Sequence, residues 1–197
     1  MHYPENTGLL IEEIRACRAC EDVLPHEPRP VVSFGSGARV ALIGQAPGAV
    51  VHASGVPWDD ASGRTLREWM GIDRERFYDA DAIAIVPMGF CFPGHGKSGD
   101  LPPRPECEPL WHARIFAHLD VDLTLLVGRF AQARYLGERR GRTLTETVRQ
   151  WRIYGRHVLP LPHPSPRNRP WLAKNPWFAR EVIPVLRRRL GRLDLRT

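Results

Sequence analysis

Apolar residues recur along this chain with two different periods. Residues 7–16 (TGLLIEEIRA) have the 3.6-residue spacing of a helix, with Thr7 as its cap, and the proline-rich stretch 24–30 reads as a loop. Four short runs, 38–44, 82–90, 122–128 and 157–162, are apolar on consecutive positions and rich in Val, Ile and Leu, the mark of strands buried on both faces. Helical patterns fall between and after them. One is capped by Ser62, carries Leu66, Trp69 and Met70 and ends at Gly71. Others cover 110–119, 129–137, 143–152 and 171–190, the last bent or broken at Pro184. This alternation predicts an α/β fold over one domain, 1–197: a three-layer α/β/α sandwich with a four-stranded, largely parallel central sheet. Ligands of such sheets bind beyond the C-terminal ends of the strands. Two long polar segments lie there, GQAPGAVVHASGVPWDDASG (44–63) after the first strand and HPSPRNRPW (163–171) after the fourth.

Composition narrows the class. With 197 residues, 43% hydrophobic and 25% charged, the chain is long enough to bury a core without staples. No apolar run approaches the ~20 residues of a membrane span. The N-terminus carries acids and no basic or apolar leader segments, so a cytoplasmic protein is expected. Six Trp and seven Phe argue against disorder. The net charge is +6, and Lys97 and Lys174 are the only lysines, so the basic surface is arginine. Such a surface suits a polyanion, although an arginine-rich composition alone gives the same balance. The run Arg187, Arg188, Arg189 and Arg192 reads as the solvated face of a terminal helix.

The first rim segment holds Gln45, His52, Asp59 and Asp60 around Trp58, with Gly44 and Gly48 allowing close backbone approach. An amide, an imidazole and two carboxylates can polarise a substrate and orient a water, while either aspartate could instead cap the following helix. In the second segment His163 stands between Pro162 and Pro164, which stiffen its backbone, and Ser165, Pro166, Arg167 and Asn168 follow with donors suited to phosphate. Cys17 and Cys20 form a CxxC pair, with Cys91 and Cys107 downstream. Four thiolates suit zinc or an iron–sulfur cluster, and four unrelated buried cysteines give the same count.

Together these segments resemble the uracil-DNA glycosylase superfamily. GQAPG (44–48) is similar to its first motif and HPSPRN (163–168) to its second. The cysteine pattern, with GDLPPRPEC (99–107) before the fourth, resembles that of the iron–sulfur bacterial members (families 4 and 5), and GVPW (55–58) that of the single-strand-selective branch. The resemblance covers roughly residues 10–180. It implies that His163 stabilises the negative charge on the leaving base, that Trp58 stacks on the flipped base, and that Gln45, Ala46, Pro47 and Gly48 line the pocket. It further implies a structural [4Fe-4S] cluster on Cys17, Cys20, Cys91 and Cys107, with zinc the alternative, and Ser165 to Asn168 as the strand-contacting segment.

Two positions depart from the pattern. Gln45 stands where family 4 has Glu, and Ala46 where another family has its water-activating Asp. The general base for water then comes from later in the loop, Asp60 first, with Asp59 and His52 as alternatives, or is absent. Pro87 replaces the uracil-reading Asn, leaving groups near Met88 and Gly89 to read the base edge. The expected activity is hydrolysis of the N-glycosidic bond of uracil in DNA by a monomer, without lyase chemistry, since neither lysine sits in a motif where a Schiff base is expected. Alternatives are a glycosylase for another deaminated base such as hypoxanthine, a non-catalytic DNA-binding member, and a zinc-stabilised nucleotide hydrolase.

Overall fold

A computed structural model describes residues 7–97 and 99–195. The N-terminal residues 1–6, on which part of the leader reading rests, and residues 98, 196 and 197 lie outside it. In chain order the elements begin with α1 (Thr7–Arg15), β1 (Val40–Ile43), α2 (Ala49–Ser54), α3 (Ala61–Met70), α4 (Arg74–Tyr78), β2 (Ile83–Ile85), β3 (His95–Gly96) and β4 (Gly99–Asp100). A π-helical turn, Glu108–His112, leads into α5 (Ala113–Phe116), β5 (Leu123–Val127), α6 (Arg129–Leu136), α7 (Leu144–Arg149), β6 (Val158–Leu161), α8 (Arg169–Lys174) and α9 (Ile183–Gly191). The main sheet runs β2-β1-β5-β6 with every pairing parallel.

The pleat explains why these runs carry so little polar sequence. Val40, Leu42, Ile83, Ile85, Leu123 and Leu125 point to one face, into a core with Leu66, Trp69 and Met70 of α3 and Leu186 and Leu190 of α9. On the other face Ala84 and Val86 join Leu10, Ile14, Trp111 and Ile115, and Ile43 and Leu126 join Ala131 and Leu136 of α6. Both faces are covered, so alternation is lost. The chain turns from β1 outward to β2 and then returns to β5 on the other side of β1. The switch point therefore lies between β1 and β5, where a crevice opens beyond the strand ends.

Several local expectations change. The second strand is three residues long, although the N–H groups of Val86 and Met88 still donate to the carbonyls of Leu42 and Gly44, and Pro87, which has no N–H, takes the position whose donor would face the outer edge. Its outer edge is covered by Ser33, which exchanges two hydrogen bonds with Ile85. The first rim segment is not all loop, since 49–54 form α2. Helix α3 is capped by Asp60 rather than Ser62, Asp60 Oδ1 accepting from the Gly63 N–H at 2.8 Å. The expected helix 171–190 divides at Asn175, whose extended φ of −126° is what a residue before proline favours. Around Pro184 the helix changes winding rather than ending: a π-helical turn, Phe178–Val182, runs directly into α9, whose first turn takes the proline without needing its N–H.

Candidate active site

A cavity of about 350 Å³ opens at the switch point, the size class of small-molecule sites. Both sequence-predicted segments meet in its wall. Gln45, Ala46, Pro47, Gly48, Trp58 and Asp60 come from the segment after β1, and His163, Ser165, Pro166 and Arg167 from the segment after β6.

Trp58 is held by close backbone approaches. Its own φ is +58°, a region that costs a bulky residue of order 1–3 kcal/mol and persists only where surroundings fix it. A Cβ on Gly44 would stand 2.8 Å from the indole, and one on Gly63 would overlap the Trp58 carbonyl oxygen. The indole then stacks on the His163 ring with centroids 5.6 Å apart and planes at 30°.

The protonation state of His163 follows from its backbone. The Ser165 N–H donates to His163 Nδ1 at 3.2 Å, and an N–H can donate only to an unprotonated nitrogen. The ring proton of the neutral form is therefore on Nε2. Burial lowers the pKa of His163 below its ordinary 6.5, against the opposing charges of Asp60 and Asp100, so the ring is neutral at pH 7. Asn168 Nδ2 donates to the His163 carbonyl at 2.7 Å and closes the turn, and the half-buried residue stays out of the cavity lining. Ser165 Oγ accepts from the Arg167 N–H at 3.3 Å.

Other expected residues lie elsewhere. His52 sits on α2 against His26 and Phe92, with its buried Nδ1 unpartnered, and does not line the cavity. Asp59 faces outward and pairs with Arg74 at 2.9 Å. Met88 and Gly89 also stay out of the lining, and their N–H groups are already donated to the carbonyls of Gly44 and Gln45. The Pro87 carbonyl is taken too. Buried His112 donates to it from Nε2 at 3.0 Å while accepting from the Tyr135 hydroxyl at 2.6 Å. Asp100, from the β3–β4 hairpin, lines the cavity and was missed by sequence reasoning; the glycine-rich stretch before it signals a turn but gives no destination.

The four cysteines line one separate cleft, walled by Pro28, Pro30, Phe90 and Trp111. Among the described residues no group of three or more His, Cys, Asp or Glu is close enough together to hold a metal ion as placed. The donor chemistry nonetheless fits a thiophilic group. Burial, with Cys17 and Cys20 nearby, pushes the Cys91 thiol up to about 11. Burial likewise pushes Cys107 up to about 12, although the Phe90 N–H points at its sulfur from 3.4 Å. Thiols so far from ionising become ligands only where a cation offsets the cost.

The fold and site together define a parallel α/β domain with an aromatic-walled cavity, and a neutral, tautomer-fixed imidazole, at the carboxyl rim of its sheet. A family model for the uracil DNA glycosylase superfamily matches residues 32–187, and the chain belongs to that superfamily. Membership places its chemistry with the DNA glycosylases of base excision repair, which act on DNA. No helix among the described residues is long and apolar enough to cross a membrane.

Proposed function

We propose that this protein is a monofunctional glycosylase that, as a monomer, hydrolyses the N-glycosidic bond of uracil in DNA and leaves an abasic site. The observation that carries the reading is the His163 tautomer, fixed by the Ser165 N–H. The target nucleotide must leave the base stack to enter a pocket, and Trp58 offers its base a stacking wall worth about 1–3 kcal/mol. As the bond from C1′ to the base breaks, the electron pair leaves with uracil, and negative charge spreads to its ring carbonyl oxygens. The Nε2–H of a neutral His163 donates to that charge, an interaction that strengthens in the transition state. A water adds to C1′ and gives its proton to Asp60, whose Oδ1 is held by Gly63 and whose Oδ2 is left for the water.

We further propose that Cys17, Cys20, Cys91 and Cys107 hold a [4Fe-4S] cluster, with zinc the alternative. The group would supply a cross-link between the 17–30 segment and the 91–107 region. Visible charge-transfer absorption with matching iron and sulfide supports the cluster, and stoichiometric zinc in colourless protein refutes it.

The deciding experiment is an abasic-site assay on single- and double-stranded uracil oligonucleotides, with His163→Ala as control and Asp60→Asn beside it. Asn keeps the cap and removes the charge. Alkali-labile cleavage by the wild type alone is the expected result, and no cleavage by folded wild type rejects the uracil assignment. Pro87, whose carbonyl is occupied by His112, supports a second reading in which another deaminated base is preferred, and an inosine-containing competitor strand tests it.

A further inference from the structure

The β3–β4 hairpin enters the cavity wall, yet nothing in the reaction above uses it. Gly99 has φ of +140°, and Arg167 Nη1 lies 2.7 Å from where a Cβ on it would stand. Only a bare backbone allows that approach, so the guanidinium of the 163–168 turn rests on the hairpin and the next residue, Asp100, lies at the cavity. The two oxygens of Asp100 have different surroundings. Oδ1 is 3.0 Å from His95 Nδ1. Oδ2 is turned to Gly48 at the start of α2, 3.5 Å from where a Cβ there would be. Asp60 and Asp100 thus bring two carboxylates to a cavity that also holds the neutral His163.

We propose that Asp100 is a second catalytic carboxylate, whose ionised Oδ2 stabilises the oxocarbenium-like sugar as the base departs, while His95 holds Oδ1. This rests on the glycosylase reading. No bond forms to Asp100. The pair from the broken C1′–N bond leaves with the base, positive charge develops on C1′ and O4′, and the water that adds to C1′ passes its proton to Asp60. Glycoside hydrolysis in general brings two carboxylates to a centre that passes through an oxocarbenium-like transition state.

The test uses Asp100→Asn, which keeps shape and an acceptor for His95 and removes the charge. Two readouts are taken on the full chain. The first is single-turnover cleavage of a uracil strand at saturating enzyme. The second is the ratio of affinities for two strands, one carrying a cationic pyrrolidine abasic analogue and one the neutral tetrahydrofuran analogue. The expected result is a loss of about tenfold or more in cleavage, a collapse of the wild-type preference for the cationic strand, and an unchanged melting temperature. Cleavage within twofold of wild type, or an unchanged affinity ratio, overturns the role of Asp100. Wild type that cleaves no uracil strand but prefers the cationic analogue, with that preference lost in the variant, rejects the uracil assignment and upholds Asp100.

Discussion

In the pocket, loss of solvent holds His163 neutral, and in the cysteine cleft the same loss of solvent raises Cys91 to about 11 and Cys107 to about 12. Desolvation disfavours the charged form in both places, but its consequences are opposite. The neutral imidazole, with its proton fixed on Nε2 by Ser165, is already the donor that a developing oxyanion needs. The neutral thiol is not yet a ligand. The proposed donor of the pocket is therefore supplied by the chain's own residues, while under the proposed cluster a cation would make the thiolates favourable. The two regions differ in backbone as well. The pocket carries the left-handed Trp58 and the glycines packed against it, whereas the cleft is walled by prolines and aromatics.

The largest expected effect breaks the pocket alone. His163→Ala should lower single-turnover cleavage by about 100-fold or more while the melting temperature and any metal content stay as in wild type. Gly63→Ala comes next, because its Cβ overlaps the Trp58 carbonyl. We expect a cost of about 1–3 kcal/mol by chemical denaturation, together with lost cleavage as the indole moves from His163. Cys91→Ala sharpens the comparison from the other side. It should lower stability by about 1–3 kcal/mol and reduce metal content, yet leave the single-turnover rate of the folded fraction unchanged.

Protons provide a milder test. Burial is the main cause that lowers His163, His112 and His52 below 6.5. Below that value the unfolded chain binds more protons than the folded one, so these three groups favour folding in full above pH 6.5 and lose that contribution as pH falls beneath it. Denaturant midpoints from pH 8 to 5 should fall on the acid side, and the acid limb of cleavage should lie below 6.5. The smallest effect belongs to Asp59→Asn. Its solvent-screened pair with Arg74 should leave the denaturation midpoint close to that of wild type, with cleavage unchanged, in contrast to its neighbour Asp60.

Much of this was legible before any coordinates. The four apolar runs could only be strands covered on both faces, and GQAPG and HPSPRN had to lie at the ends of two of them. What the sequence hid depended on distance along the chain. His52 and Asp60 share one segment, eight positions apart, but the six-residue α2 turns His52 away toward His26 and Phe92. Asn168 turns one of its two amide donors onto the His163 carbonyl, a contact within its own turn that the motif did not announce.

By itself the sequence determined the layer order, the parallel sheet and the two rim segments, because hydrophobic period and turn chemistry are local properties, while His163, Trp58 and Asp60 stood out through the resemblance of their motifs. Only the tertiary structure decided which of the rim residues share the cavity. It also fixed which nitrogen of His163 carries the proton, and it brought Asp100 to the cavity from a hairpin about 40 residues beyond the first segment. Those outcomes depend on backbone N–H groups and close approaches between segments far apart in the chain, and no local pattern encodes them.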